Sequence, residues 1–208
     1  MSPDFIISAF VTLLVVVDPV GLAPAFVGIT YGLDAQARRS VALRASLIAG
    51  GILIGTALIG DPVLRWLGIS LPAFQIAGGL LLFWIAAEMV YGTRSERETR
   101  AAEQAVEERI RNIAAFPLAI PLMAGPGAIA AIVLLAGQAR DALTLAALLG
   151  VIVAVCALTL LVFCFAGAIK RALGVTGNIV SSRLLGVILA ALAVQYVIDG
   201  VRAALRGL

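Results

Sequence analysis

The sequence predicts an all-α integral membrane protein whose six transmembrane helices form two inverted three-helix repeats. Three observations support this fold class. First, 62% of the 208 residues are hydrophobic and 13% are charged, whereas soluble domains have about 45–50% and about 25%. Second, the hydrophobic residues form six stretches of roughly the 20 residues that a helix needs to cross a bilayer. Third, two of these stretches are interrupted by proline and glycine at corresponding places in the two halves.

The six stretches are the predicted spans, at residues 5–30, 41–60, 72–92, 114–136, 142–167 and 184–204. The first contains Asp-Pro-Val-Gly at 18–21, and the fourth contains Gly-Pro-Gly at 125–127. Proline lacks the N–H that a helix uses, and glycine permits backbone conformations closed to other residues. We therefore expect helices 1 and 4 to be broken near the middle of the membrane. The first span is not preceded by basic residues, so it is interpreted as a retained helix rather than a cleaved signal.

Three units are predicted along the chain. A first three-helix repeat occupies 1–92, a charged linker 93–113, and a second, inverted repeat 114–208. The linker carries five Arg and five Glu between residues 93 and 112, with neither Pro nor Gly. This composition is typical of a solvated connector, either an exposed helix or a mobile segment.

The distribution of basic residues predicts the orientation. Six spans place both termini on one side of the membrane, and eleven of the 15 Lys and Arg residues fall on the opposite side, with the linker. Because excess positive charge marks the cytoplasmic side, the linker is expected inside and both termini outside. The net charge of +3 does not indicate nucleic-acid binding, since the basic residues lie at helix ends and form no stripe interleaved with aromatic residues.

The repeat is visible in short matched segments. Residues 65–70 (RWLGIS) resemble residues 171–176 (RALGVT) at an offset of 106, and Gly79 matches Gly186 at an offset of 107. Pro19 and Pro126 are also separated by 107. Because each unit holds three spans, the second copy must cross the membrane in the opposite sense. Inverted repeats of this kind are found in many secondary transporters, which bind substrate where broken helices meet.

Asp18 is the first candidate for a functional role, because a carboxylate within a membrane span is costly and usually functional. The N-termini of half-helices present free N–H groups that suit a carboxylate, while unwound carbonyls and Asp18 suit an ammonium group or a coupling cation. Together these features predict a site for a zwitterion; the alternative is that Pro and Gly merely bend packing helices. The candidate substrate-binding residues are Asp18, Pro19, Gly21, Gly125, Pro126 and Gly127.

Other polar residues are weaker candidates. Glu88, near the inner end of the third span, is a candidate with Asp18 for proton or ion coupling, although an interfacial carboxylate explains it as well. Capping or helix packing accounts equally for Ser182, and Asn178 is expected in water at a span end.

An enzyme is disfavoured by the inventory of reactive groups. The chain contains no histidine, which removes the usual base for a serine or cysteine nucleophile and the commonest metal ligand. Asp18 is the one clearly central carboxylate, so an aspartyl dyad is not predicted. We expect neither a metal site nor a tightly bound cofactor.

These motifs resemble the MarC family of integral membrane proteins. The resemblance rests on the break at 18–21, the run PLMAGPG at 121–127, the LGIS turn at 67–70 and the charged central linker, and it covers essentially the whole chain. It implies the inner membrane of a bacterium, with periplasmic termini, and a link to transport of small neutral amino acids such as alanine and glycine. The family pattern marks the six candidate binding residues.

Two functions remain open at this stage. One is a secondary transporter for small neutral amino acids, working by alternating access with H⁺ or Na⁺ as a candidate coupling ion. The other is a channel or passive pore that uses the same broken helices. The apolar faces are compatible with a homo-oligomer and equally with lipid.

Overall fold

The computed structural model describes residues 3–107, 112–139 and 141–206, and these residues form helices without any β-strand. The elements in order are α1 (Pro3–Val17), α2 (Pro19–Ile29), α3 (Ala35–Trp66), α4 (Leu71–Tyr91), α5 (Thr93–Glu107), a proline segment (Ala114–Met123), α6 (Pro126–Gln138), α7 (Ala142–Cys164) and α8 (Ala166–Arg206). The proline segment is a wide π-helical stretch interrupted by extended backbone at Phe116 and Ile120.

The helices have the length and composition of membrane spans. Five stretches of the described chain are long and apolar enough to cross a bilayer, and the number is six if the proline segment and α6, bent by 57°, count as one span. The chain is therefore an all-helical, multi-pass membrane protein. Large apolar side chains such as Leu47, Leu161 and Val187 are more than half exposed on its outer surface, where hydrocarbon rather than water is the expected neighbour.

Two helices extend well beyond the predicted spans. The second span was predicted at 41–60, but α3 is 32 residues long and begins after Asp34, whose side chain accepts a hydrogen bond from the Ala37 N–H. The last span was predicted at 184–204, but the helix that follows the kink at Gly174 (φ 62°) already begins at Thr176. Hydrophobicity identifies only the apolar part of a helix. Polar turns at either end of the helix are therefore not included in a span predicted from hydrophobicity.

Most packing runs between the two halves of the chain. The main contacts pair α4 with α8, α3 with α7, α2 with α8 and α6 with α4. Both breaks therefore lie among helices from the other half, and movement of one half against the other changes the surroundings of both.

Glycines allow the closest approach, between α4 and α8. A Cβ atom on Gly79 would lie 2.8 Å from the Ala193 carbonyl oxygen and 2.7 Å from a Val197 methyl group. A Cβ atom on Gly186 would lie 3.1 Å from the Ala86 carbonyl oxygen. Because residue numbers rise along one helix as they fall along the other at these contacts, α4 and α8 run antiparallel.

Candidate binding site at two helix breaks

The first break is a single-residue interruption at Asp18. This residue adopts the left-handed conformation (φ 50°, ψ 65°), and its carboxylate Oδ1 accepts a hydrogen bond of 2.9 Å from the Gly21 N–H. The carboxylate thus caps the N-terminus of α2, which begins at Pro19 as its first residue. An aspartate at this position offsets the unpaired N–H groups and positive dipole end of the helix.

The second oxygen of Asp18 is held by the other half of the chain. The Ser182 hydroxyl, on α8, donates to Asp18 Oδ2 at 2.9 Å. Asp18 is 3% exposed, and both of its oxygens have a donor. The carboxylate therefore joins the first break to α8 as well as capping α2.

Gly21 is required by this cap. A Cβ atom there would overlap the Asp18 carboxylate, lying 2.6 Å from its Cγ atom. The carboxylate has little freedom to withdraw, because both oxygens are hydrogen-bonded. The glycine predicted at this break is thus explained by a close approach of side chain to backbone.

The second break has a different geometry. The proline segment ends at Met123, the chain turns, and α6 begins at Pro126 with a bend of 57°. A Cβ atom on Gly127 would overlap Ile85 of α4 and lie 3.4 Å from Val16 of α1. The start of α6 is therefore packed directly against the end of α1, and the two breaks are neighbours in space.

The N-terminus of α6 is left open. Its cap residue is Gly125, which has no side chain to accept from the first N–H groups, and the helical hydrogen bonds begin with Ile129 N–H donating to Gly125 O at 3.0 Å. The N–H groups of Gly127 and Ala128 precede that bond. Such groups, together with the helix dipole, form a ready site for an anion.

Helix α5 contributes two buried charges to the region between the breaks. Arg94 is 7% exposed and Glu98 is 6% exposed, and Arg94 Nε donates to Glu98 Oε1 at 2.8 Å. A terminal nitrogen of Arg94 also donates to the Val16 carbonyl oxygen at 2.8 Å. The linker at 93–113 was expected to be a solvated connector; its residues 93–107 form α5, and this face of α5 is packed against the first break.

Two cavities meet at this buried pair. One, of about 200 Å³, lies at the first break, where Asp18, Gly21, Asn178 and Ser182 line it. The other, of about 390 Å³, lies at the second break and is lined by residues 125–128. Arg94 and Glu98 line both cavities, so they stand in the wall between them.

The electrostatics of Glu98 reflect this position. Burial raises the pKa of the Glu98 carboxyl above its ordinary value, and the negative charge of Asp18 raises it further. The guanidinium of Arg94 acts in the opposite direction without overcoming the effect of burial. Glu98 thus holds a proton more tightly than an exposed glutamate does.

Glu88 lies elsewhere. Its Oε1 accepts from Arg97 at 3.0 Å and from the Trp84 indole at 3.3 Å, and its side chain is 17% exposed. It tethers α4 to α5 and is not among the residues that line the two cavities.

The structure brings the six predicted binding residues into two neighbouring breaks and adds four that the sequence argument missed: Arg94, Glu98, Asn178 and Ser182. Asn178 was expected in water but is 8% exposed and faces the first cavity. Ala101 and Ala102 in an otherwise charged helix indicate a packed side of α5, since Ala101 lines the second cavity and Ala102 is buried. Nothing comparable in the sequence distinguishes Asn178 or Ser182.

Known proteins and a family model match nearly the whole chain. The family model for MarC family integral membrane proteins matches residues 3–205. A UPF0056 membrane protein of Archaeoglobus fulgidus is 36% identical over 198 residues, covering 95% of this chain and 92% of the relative. The UPF0056 membrane proteins YhcE of Escherichia coli (34% identical, 96% and 93% covered) and YvbG of Bacillus subtilis (33% identical, 97% and 96% covered) are similar. No solved structure matches the chain.

Proposed function

The chain belongs to the MarC family of integral membrane proteins, as its motifs predicted, and on that premise we propose that it is a secondary transporter for small neutral amino acids. The observation that carries this proposal is the pair of cavities at the two helix breaks, separated by the Arg94–Glu98 pair. A carrier needs a central site, and two cavities that meet at a buried ion pair beside helices of both halves provide one.

The chemistry of the second cavity favours a zwitterion. The open N-terminus of α6, from Gly125 onward, offers N–H groups and a positive dipole end to a substrate carboxylate. Unwound backbone carbonyls of the proline segment, whose Pro121, Leu122 and Met123 line the same cavity, offer acceptors to a substrate ammonium group. The volume of about 390 Å³ falls in the usual range of ligand sites, roughly 300–1,000 Å³. Its modest size and largely uncharged lining suit small neutral side chains.

An inverted repeat supports alternating access. At an offset of 107 residues, Asp34 and Asp141 each cap the span that follows a broken one, α3 and α7. Gly79 approaches Ala193 and Val197, and Gly186 approaches Ala86 and Val90, which are the same contacts shifted by 107. Reciprocal contacts between antiparallel helices are those expected of two copies related by a two-fold axis in the membrane plane.

The proposed orientation keeps α5 in the cytoplasm and both termini in the periplasm of a bacterial inner membrane. Support comes from the excess of basic residues on the α5 side of the sequence. The cavities near α5 would then be reached first from the cytoplasm.

The test is counterflow in proteoliposomes that contain the purified protein and are preloaded with unlabelled alanine. We expect labelled glycine and alanine to accumulate transiently and saturably, and Pro126→Leu, which enlarges a side chain lining the second cavity, to reduce the rate at least tenfold. Gly150→Ala is the matched control, because a Cβ atom there meets no other atom within 4 Å. Absence of counterflow across a panel of neutral amino acids, from folded protein, would contradict the proposal, and ionic currents in its place would establish a channel.

A further inference from the structure

We propose that Glu98 of α5 is the proton-binding site of this carrier, a role that the sequence had suggested for Asp18 or Glu88. The inference rests on the proposed transport function and identifies the coupling ion and its residue. It starts from three structural facts: the burial of Glu98, its position in the wall of both cavities and its pairing with Arg94.

A coupling residue must lie beside the substrate site, and Glu98 meets that requirement. It lines the Asp18 cavity and the α6 cavity, whereas Asp18 lines only the first and Glu88 neither. Asp18 is also committed to two hydrogen bonds, one to Gly21 and one to Ser182. Both bonds use its oxygens as acceptors, so Asp18 is already occupied in holding α2 and α8.

Protonation of Glu98 changes the charge presented to substrate. In the structure Arg94 is paired with Glu98 at 2.8 Å. When Glu98 takes up a proton, its carboxylate becomes a neutral carboxylic acid and Arg94 is left as a buried cation without that partner. An unpaired buried charge is costly, so the carboxylate of a substrate at the α6 N-terminus, in the cavity that Arg94 also lines, binds more strongly once the proton is in place. This couples the entry of one proton to the entry of one zwitterion.

The other charges around Glu98 come from the elements that pack on α5. Asp18 lies at the start of α2. Helix α4 contributes Glu88, which forms an ion pair with Arg97. The proline segment contains no ionisable residue. The other charged groups of α5 that line the two cavities are Arg94, Glu96 and Arg97, and α8 contributes Arg183 to the first cavity. Burial and Asp18 favour the protonated form, which is consistent with the raised pKa of Glu98.

Two measurements on the purified, full-length protein test this assignment. The first is a pH titration by infrared difference spectroscopy, which detects the C=O stretch of a buried protonated carboxyl. We expect the band in wild type and in Glu103→Gln, a control on an exposed position of the same helix, and we expect Glu98→Gln to lack it. A band that persists in Glu98→Gln overturns the assignment whether or not the protein transports amino acids.

The second is alanine-driven proton uptake, followed with a pH-sensitive dye inside proteoliposomes. Glu98→Gln should keep counterflow within about threefold of wild type but lose proton uptake at least tenfold. Glu98→Asp, which retains a carboxyl group, should keep part of the uptake. Proton uptake at the wild-type level in Glu98→Gln overturns the proposal. If wild type shows no counterflow while the Glu98 infrared band is present, the transport proposal fails and the proton site stands.

Discussion

The two helix breaks occupy corresponding places in the sequence but are completed differently. At the first, Asp18 caps α2 with its own carboxylate. At the second, Gly125 leaves the N-terminus of α6 without a side-chain cap. At the first break a side chain of the protein therefore caps the helix N-terminus, whereas at the second break the helix N-terminus is available to an external anion. In the proposed carrier, the first break anchors the halves to each other and the second receives the substrate carboxylate.

The largest expected effect is at the closed break. Gly21→Ala forces a Cβ atom into the Asp18 carboxylate, which must give up the cap or displace Ser182. We expect a loss of about 2 kcal/mol, measured as a lower apparent unfolding temperature in detergent. Gly28→Ala, in the same helix with nothing within 4 Å of its Cβ position, is the control and should change little. Equal unfolding temperatures of the two variants would contradict the close approach of Gly21 to the Asp18 carboxylate.

Outside the breaks, the two halves should respond alike. Gly79→Ala and Gly186→Ala each press a Cβ atom on a backbone carbonyl of the opposite helix, so each should cost about 1–2 kcal/mol. The measurement is again thermal unfolding, with Gly55→Ala, where nothing lies within 4 Å, as the control. If the losses of stability in Gly79→Ala and Gly186→Ala differ greatly, α4 and α8 are not equivalent helices of a repeat.

A smaller effect is expected from the link between Asp18 and α8. Ser182→Ala leaves Asp18 Oδ2 without its donor, and the loss of one part-buried hydrogen bond costs about 1 kcal/mol. Ser181→Ala, on the preceding residue, is the matched control. Unfolding midpoints of the two variants that coincide would show that this hydrogen bond contributes little to the first break.

The smallest effect concerns the exposed cap of α7. Hydrogen bonds from the Thr144 backbone and hydroxyl lower the pKa of Asp141 below its ordinary value of 3.8. Because the folded pKa is lower than the unfolded one, this cap stabilises the protein above pH 3.8 and is lost as the pH falls through the folded value. Asp141→Asn should therefore flatten the acid end of a stability–pH curve slightly. An unchanged curve would contradict this role.

The sequence predicted the membrane fold and the two breaks because both depend on local composition. Long apolar runs require a bilayer, and Pro19 and Pro126 interrupt helices wherever they stand. The partners of the breaks depend instead on tertiary packing. Ser182 lies 164 residues from Asp18 and Arg94 lies 78 from Val16, and no local pattern joins residues so far apart. The high charge of α5 also concealed its buried side, because the two buried charges, Arg94 and Glu98, resemble the five other charges of the same helix.

We propose that the open N-terminus of α6 binds the carboxylate of a zwitterion. Competition by unlabelled compounds during counterflow of labelled alanine tests this directly. Unlabelled glycine and alanine should compete at similar concentrations. Alaninamide, which lacks the carboxylate, and propionate, which lacks the ammonium group, should each require at least a hundredfold more. Competition by alaninamide as strong as that by alanine would contradict the claim, because the break at Gly125 would then have no part in recognising the substrate.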